Sequence, residues 1–145
     1  MTEKDLRDAL TAAMRARDAA RMRALRGVLA LVKNRMIEVR GGELPEREIA
    51  SLIQREVKQC KETLEFARQA ARSDRVAEHE EQLAILEGLL PNALSEEELR
   101  AAIRAIIAET GATSLGPVMK ALGERYAGRY DGKAASGLAR DILAG

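Results

Sequence analysis

The sequence predicts an all-α protein with an elongated N-terminal helical domain of hairpins over residues 1–92 and a compact three-helix unit over 95–145. Three observations carry this. Apolar residues recur at steps of three and four along nearly the whole chain, the period of a helix with one buried face. Alternation at period two, which a half-buried strand requires, is missing. The interruptions are helix punctuation: Gly41-Gly42, Pro91-Asn92, Gly111, and two capping patterns.

Each element follows from its own spacing. Leu6, Ala9, Leu10, Ala13 and Met14 form the apolar face of a first helix behind Thr2 and Asp5, a capping pair. A second helix spans about 19–39. Its line of Met22, Leu25, Leu29, Val32, Met36 and Val39 alternates steps of three and four, a heptad-like seam. Gly41-Gly42 ends it, and Pro45 opens the third helix, which runs to about Arg72 with Ile49, Ile53, Val57, Cys60, Leu64 and Ala67 along one side. Ser73 and Asp74 offer caps for a fourth helix through Leu90, which carries Val76, Leu83, Leu86 and Leu90; the third and fourth together read as a helical hairpin.

After Pro91-Asn92 comes the clearest boundary. Ser95 and Glu98 form a capping box, Leu94 and Leu99 a hydrophobic staple, and three glutamates suit the positive end of a helix. That helix buries Leu99, Ile103, Ile106 and Ile107 and stops at Gly111. A sixth begins near Leu115 with Val118, Met119 and Leu122 inside. A seventh spans about 132–143 on Ala135, Leu138 and Ile142.

Composition limits the function classes. With two Tyr, one Phe and no Trp in 145 residues, aliphatic packing must fill the interior. No apolar run approaches the roughly 20 residues of a membrane span, and the start, MTEKDLRDAL, has no apolar signal core. The single cysteine excludes an internal disulfide, so a cytoplasmic location is expected. The net charge of +1 hides a segregation: residues 1–40 hold ten Lys/Arg against five Asp/Glu, residues 41–110 nine against fifteen, and residues 111–145 five against three. Arg21, Arg23, Arg26, Lys33, Arg35 and Arg40 make the second helix basic, which suits an acidic partner or nucleic acid.

Catalytic chemistry finds few candidates. A Cys–His pair would be Cys60 with His79, but Cys60 lies on an apolar stripe, where a thiol packs as a small hydrophobe. One His and one Cys do not make a metal site, and no phosphate-binding glycine loop is present; neither a metal nor another cofactor is expected. Of Ser51, Ser73, Ser95, Ser114 and Ser136, at least three are expected to cap helices.

The turn before the last helix is the best functional candidate. Gly116-Pro117-Val118-Met119-Lys120 is followed by Gly128-Arg129-Tyr130-Asp131-Gly132-Lys133. Asp131 caps the helix and Gly132 permits close approach. Lys133 puts a cation at a positive helix end, an arrangement that suits a bound anion such as RNA phosphate, with Arg129 and Lys120 adding to the patch. The alternative partner for Lys133 is a nearby carboxylate, Asp131 or Glu124.

Both motifs resemble the tail shared by YqeY-like proteins and the B subunit of the glutamine-dependent aspartyl/glutamyl-tRNA amidotransferase. The likeness covers nearly the whole chain: Leu25-Arg26, Leu29, Lys33 and Glu38; Lys58, Lys61 and Glu62; Arg75, Ala77, Glu78 and Leu86-Glu87; Leu90-Pro91 leading into Leu94-Ser95-Glu96-Glu97-Glu98-Leu99; and Glu109-Thr110-Gly111-Ala112. Two positions depart from the family pattern. Leu89 stands where a tyrosine is frequent, and Tyr130 replaces an alanine in the turn, where its ring either stacks on a base or packs across a helix end. The resemblance implies tRNA contact without chemistry. The chain lacks the amidotransferase's catalytic region, so a carbon–nitrogen ligase label, with glutamine as nitrogen donor, would hold only for an assembly containing it. The expected role is an accessory protein that recognises tRNA or tRNA-charging proteins through Lys133, Arg129, Lys120 and Tyr130. The rival expectations are a protein-interaction module pairing through the Met22–Val39 seam, and a subunit active only with an amidase partner.

Overall fold

A computed structural model describes residues 1–145 as seven α-helices and no strand. They run α1 Glu3–Arg15, α2 Ala19–Glu38, α3 Glu46–Gln69, α4 Ser73–Gly88, α5 Glu96–Thr110, α6 Leu115–Tyr126 and α7 Gly132–Ala144. The all-α expectation holds. Two compact units, Met1–Leu90 and Pro91–Gly145, divide the chain.

In the first unit α2 packs against α1, α3 and α4. Leu6, Leu25, Val28, Val32, Ile49, Ile53 and Leu86 are essentially inaccessible to solvent, and burying each large aliphatic contributes about 1.5–3 kcal/mol. The expected heptad seam is corrected by this packing. Ala24, Leu25, Val28 and Val32 form the buried line, while Met22, Leu29 and Met36 sit at its edges and Val39 is exposed. A helix with neighbours on several sides buries a 3.6-period face, which shifts the buried line away from the seam.

Two of the connections are the same three-residue turn. α1 passes to α2 through Ala16-Arg17-Asp18, and α3 to α4 through Ala70-Ala71-Arg72. The central residue is left-handed in each, Arg17 at φ 56° and Ala71 at φ 54°. The hydrogen bonds are those of a Schellman motif: Arg17 N–H to Met14 and Asp18 N–H to Ala13, then Ala71 N–H to Arg68 and Arg72 N–H to Ala67. α2 closes likewise on Arg40 at φ 59°, one residue before the expected Gly41-Gly42 stop, and both glycines continue at positive φ.

The N-termini are less uniform. Thr2 and Asp5 form the expected capping box, and hydrogen bonds from the Thr2 backbone N–H and then its side chain hold the Asp5 carboxyl below its ordinary range. Asp18 caps α2 by accepting from Arg21 N–H at 3.1 Å. α4 differs from expectation: its N-cap is Arg72, which makes no capping bond, and Ser73 is already helical. Arg35 ties α2 to α3 through Glu48 at 2.7 Å and also meets Glu38 at 3.0 Å, contacts that raise its pKa.

In the second unit α5, α6 and α7 pack pairwise around Leu99, Ala102, Ile103, Ile106, Val118, Leu122, Ala135 and Ala139. Ser95 and Glu98 form the expected capping box, Leu94 packs against the cluster holding Leu99, and Gly111 ends α5 at φ 67°. On α7 the buried line is Ala135 and Ala139, with Leu138 and Ile142 at its margin. Three or more capping serines were expected. Only Ser95 makes such a bond: Ser114 holds the N-cap of α6 without one, and Ser51 and Ser136 donate to carbonyls of their own helices.

Candidate nucleic-acid interface

The α6–α7 connection begins as a tight turn. Arg129 N–H donates to the Tyr126 carbonyl at 3.0 Å across Ala127, at φ −50° and ψ 131°, and Gly128, at φ 77°. These are the angles of a type II turn, whose third residue favours glycine. Gly128 is also buried, so the first glycine of the motif is a requirement of the backbone.

Arg129 then binds the segment leading into α5. Its carbonyl accepts from Leu94 N–H at 2.7 Å, and its Nε donates to the Asn92 carbonyl at 2.9 Å. The guanidinium lies over the Tyr126 ring, 5.8 Å from its centroid, within range of a cation–π contact. Arg129 is therefore part of the architecture of this unit. Nothing local in the sequence signals a contact spanning 37 positions.

Tyr130 is half-buried and packs against the core of α5, α6 and α7. Its hydroxyl lies 3.7 Å from where a Cβ on Gly123 would stand, and burial pushes its phenol pKa up. Of the two placements expected for this ring, packing across a helix is the one adopted.

Asp131 caps α7 as expected, accepting from Ala134 N–H at 2.9 Å. Gly132 and Lys133 follow as the first two helical residues. Lys133 is exposed and has no ion pair; neither Asp131 nor Glu124 meets it. Close approach at Gly132 has no counterpart within the chain, since an added Cβ would meet nothing within 4 Å. Lys120 is exposed on α6, three residues before Gly123 and so on the helix side that Tyr130 covers. The structure thus makes Arg129 and Tyr130 structural parts of the turn, and leaves Lys133 at the start of α7 and Lys120 on α6 exposed and without an ion pair.

The chain belongs to the YqeY-like family. The family described as Yqey-like protein matches residues 3–143, nearly the whole length. No curated protein matches the chain.

Other chemistry in this YqeY-like protein is sparse. Cys60 is buried and its Sγ donates to the His79 backbone carbonyl at 3.5 Å, so these two residues meet through a main-chain atom. Burial, followed by the charges of Glu56 and Glu87, raises the thiol pKa, which keeps Cys60 in its poorly nucleophilic form. No group of three or more His, Cys, Asp or Glu side chains is placed to hold a metal ion, and no helix is long and apolar enough to cross a membrane. A cleft of about 380 Å³ between α5 and α7 is lined by Arg100, Arg104, Leu138 and Asp141, away from the four predicted residues in sequence; Arg100 there is paired with Glu96.

Proposed function

We propose that this YqeY-like chain is an accessory RNA-binding protein whose Pro91–Gly145 unit contacts the backbone of tRNA, alone or within a tRNA-charging assembly. The observation that carries the reading is the start of α7. Lys133 stands exposed and unpaired at the positive end of a helix, beside a glycine whose Cα faces open space. A phosphate there would meet the Lys133 ammonium and the helix dipole, and Gly132 would let it approach the main chain. Lys120 supplies the second cation. Arg129 acts as a positioning residue that holds the turn, and Tyr130 as its packed base. The likeness to the amidotransferase tail supports the choice of tRNA among polyanions. Any part in glutamine-dependent amide formation would come from partners, with this chain as the recognition element.

The test is anisotropy of labelled bulk tRNA at low and near-physiological salt, comparing wild type with a Lys120→Ala, Lys133→Ala pair. Arg129 is left intact because its loss would also release Asn92. Each phosphate neutralised contributes about −0.7 to −0.9 to the slope of log affinity against log salt. Removing both lysines should therefore flatten the slope by about 1.4–1.8 and weaken binding. Equal binding and slope in the double variant would sink the proposal.

A second reading, a helical protein-interaction module, is favoured by Phe66, which stands 73% exposed on α3.

A further inference from the structure

We infer that the Met1–Leu90 unit carries a docking groove for an acidic amphipathic helix of a partner protein, in addition to the role proposed for the α6–α7 turn. The groove lies between α1 and α2 and has a volume of about 620 Å³. Leu29, Ala30, Met36 and Ile37 supply its apolar surface, and Arg26 and Lys33 its basic rim on α2.

Three properties select this occupant. The first is the apolar surface itself. Ile37 is 66% exposed, and no segment of the chain covers it. An isoleucine held open on a helix face is a site at which a partner gains by removing it from water. The second is relief. Ala30 is exposed and small, and Gly27, one turn earlier, has nothing within 4 Å of an added Cβ, so another helix backbone has room to come close.

The third is charge. Arg26 and Lys33 are exposed and take part in no ion pair, whereas Arg7, across the groove on α1, is already held by Glu3 at 2.6 Å. The two uncompensated cations are seven residues apart, two turns or about 10.5 Å along the helix. Carboxylates at positions i and i+7 of a docked helix have the same spacing. An apolar face on such a helix would lie over Ala30 between the two carboxylates and reach Ile37 one turn beyond Lys33, the helix-in-groove mode of recognition. RNA would meet the cations but has no use for the apolar surface, so the combination selects protein.

The probe is a fluorescein-labelled synthetic helix of about 16 residues, roughly 24 Å long, with leucines at i, i+3, i+4 and i+7 and glutamates along both flanks. A matching peptide carries lysine in place of each glutamate. Titration into the full chain at near-physiological salt should give binding of the acidic peptide at least about tenfold tighter than the basic one. The Arg26→Glu, Lys33→Glu variant changes only exposed side chains and should reverse that preference. Ile37→Ser should weaken the acidic peptide with the charges untouched. Circular dichroism establishes that each variant is folded. Equal affinity for the two peptides, or a charge-reversed variant with unchanged preference, would overturn the inference. So would displacement of the acidic peptide by bulk tRNA through Arg26 and Lys33, which would assign the rim to nucleic acid.

Discussion

Within residues 1–90 three helices close on a left-handed residue that carries a side chain, Arg17, Arg40 and Ala71, whereas within 91–145 the left-handed positions are Gly111 and Gly128. The first unit has the three longest helices, α2, α3 and α4, and a cluster of thirteen buried residues; the second has a cluster of eight. A left-handed L-residue costs about 1–2 kcal/mol. The larger apolar core can offset several such penalties, while the smaller one relies on turns that carry none. The lesson is that tolerance of backbone strain follows the size of the core behind it. Each unit accordingly predicts a different response to the same exchange.

Gly128→Ala tests the stricter unit and should have the largest effect. The residue is buried at φ 77°, so alanine should cost about 1–2 kcal/mol, read as a lower urea midpoint by circular dichroism. Gly132→Ala, four residues on, should cost nothing measurable, because its backbone is ordinary and its Cβ position open. Equal losses would break the contrast.

Arg72→Asp sharpens the comparison inside the first unit. Asp18 and Arg72 occupy the same place in the two matching turns, at φ −86°, ψ 91° and φ −93°, ψ 82°, yet only Asp18 caps its helix. The substitution should give α4 the missing cap and remove a cation from its positive end, stabilising by about 1 kcal/mol. A thermal midpoint that fails to rise would show that the two turns are not equivalent. Ala71→Gly should stabilise by about 1 kcal/mol or less, since relief of the left-handed penalty is partly offset by the greater freedom of an unfolded glycine. Glycine thus helps in one unit where its loss harms the other.

What the sequence made legible was local. Apolar spacing placed all seven helices, and the two capping boxes lie where Thr2–Asp5 and Ser95–Glu98 put them, because each needs only residues three apart. Ser73 misled because the Schellman turn ending α3 uses Arg72 as its last residue, leaving Arg72 as the N-cap and Ser73 inside the helix. Val39 misled because α2 ends one residue earlier, so the seam outruns the helix. At the candidate site, Asp131 as a cap was readable. Packing of the Tyr130 ring was one of two readings offered, but the placement of Arg129 on Asn92 was not readable, since it arises from segments brought together by a core that no short motif encodes.

The placement of a few residue types has a practical consequence. Tyr126 and Tyr130, the only tyrosines in a chain without tryptophan, both belong to Pro91–Gly145, while the single cysteine lies buried in Met1–Leu90. Tyrosine emission is therefore a private signal of one unit, and reaction with a thiol-specific dye a private clock for the other. A single unlabelled sample contains both reporters, so the opening of each unit can be timed without cutting the chain.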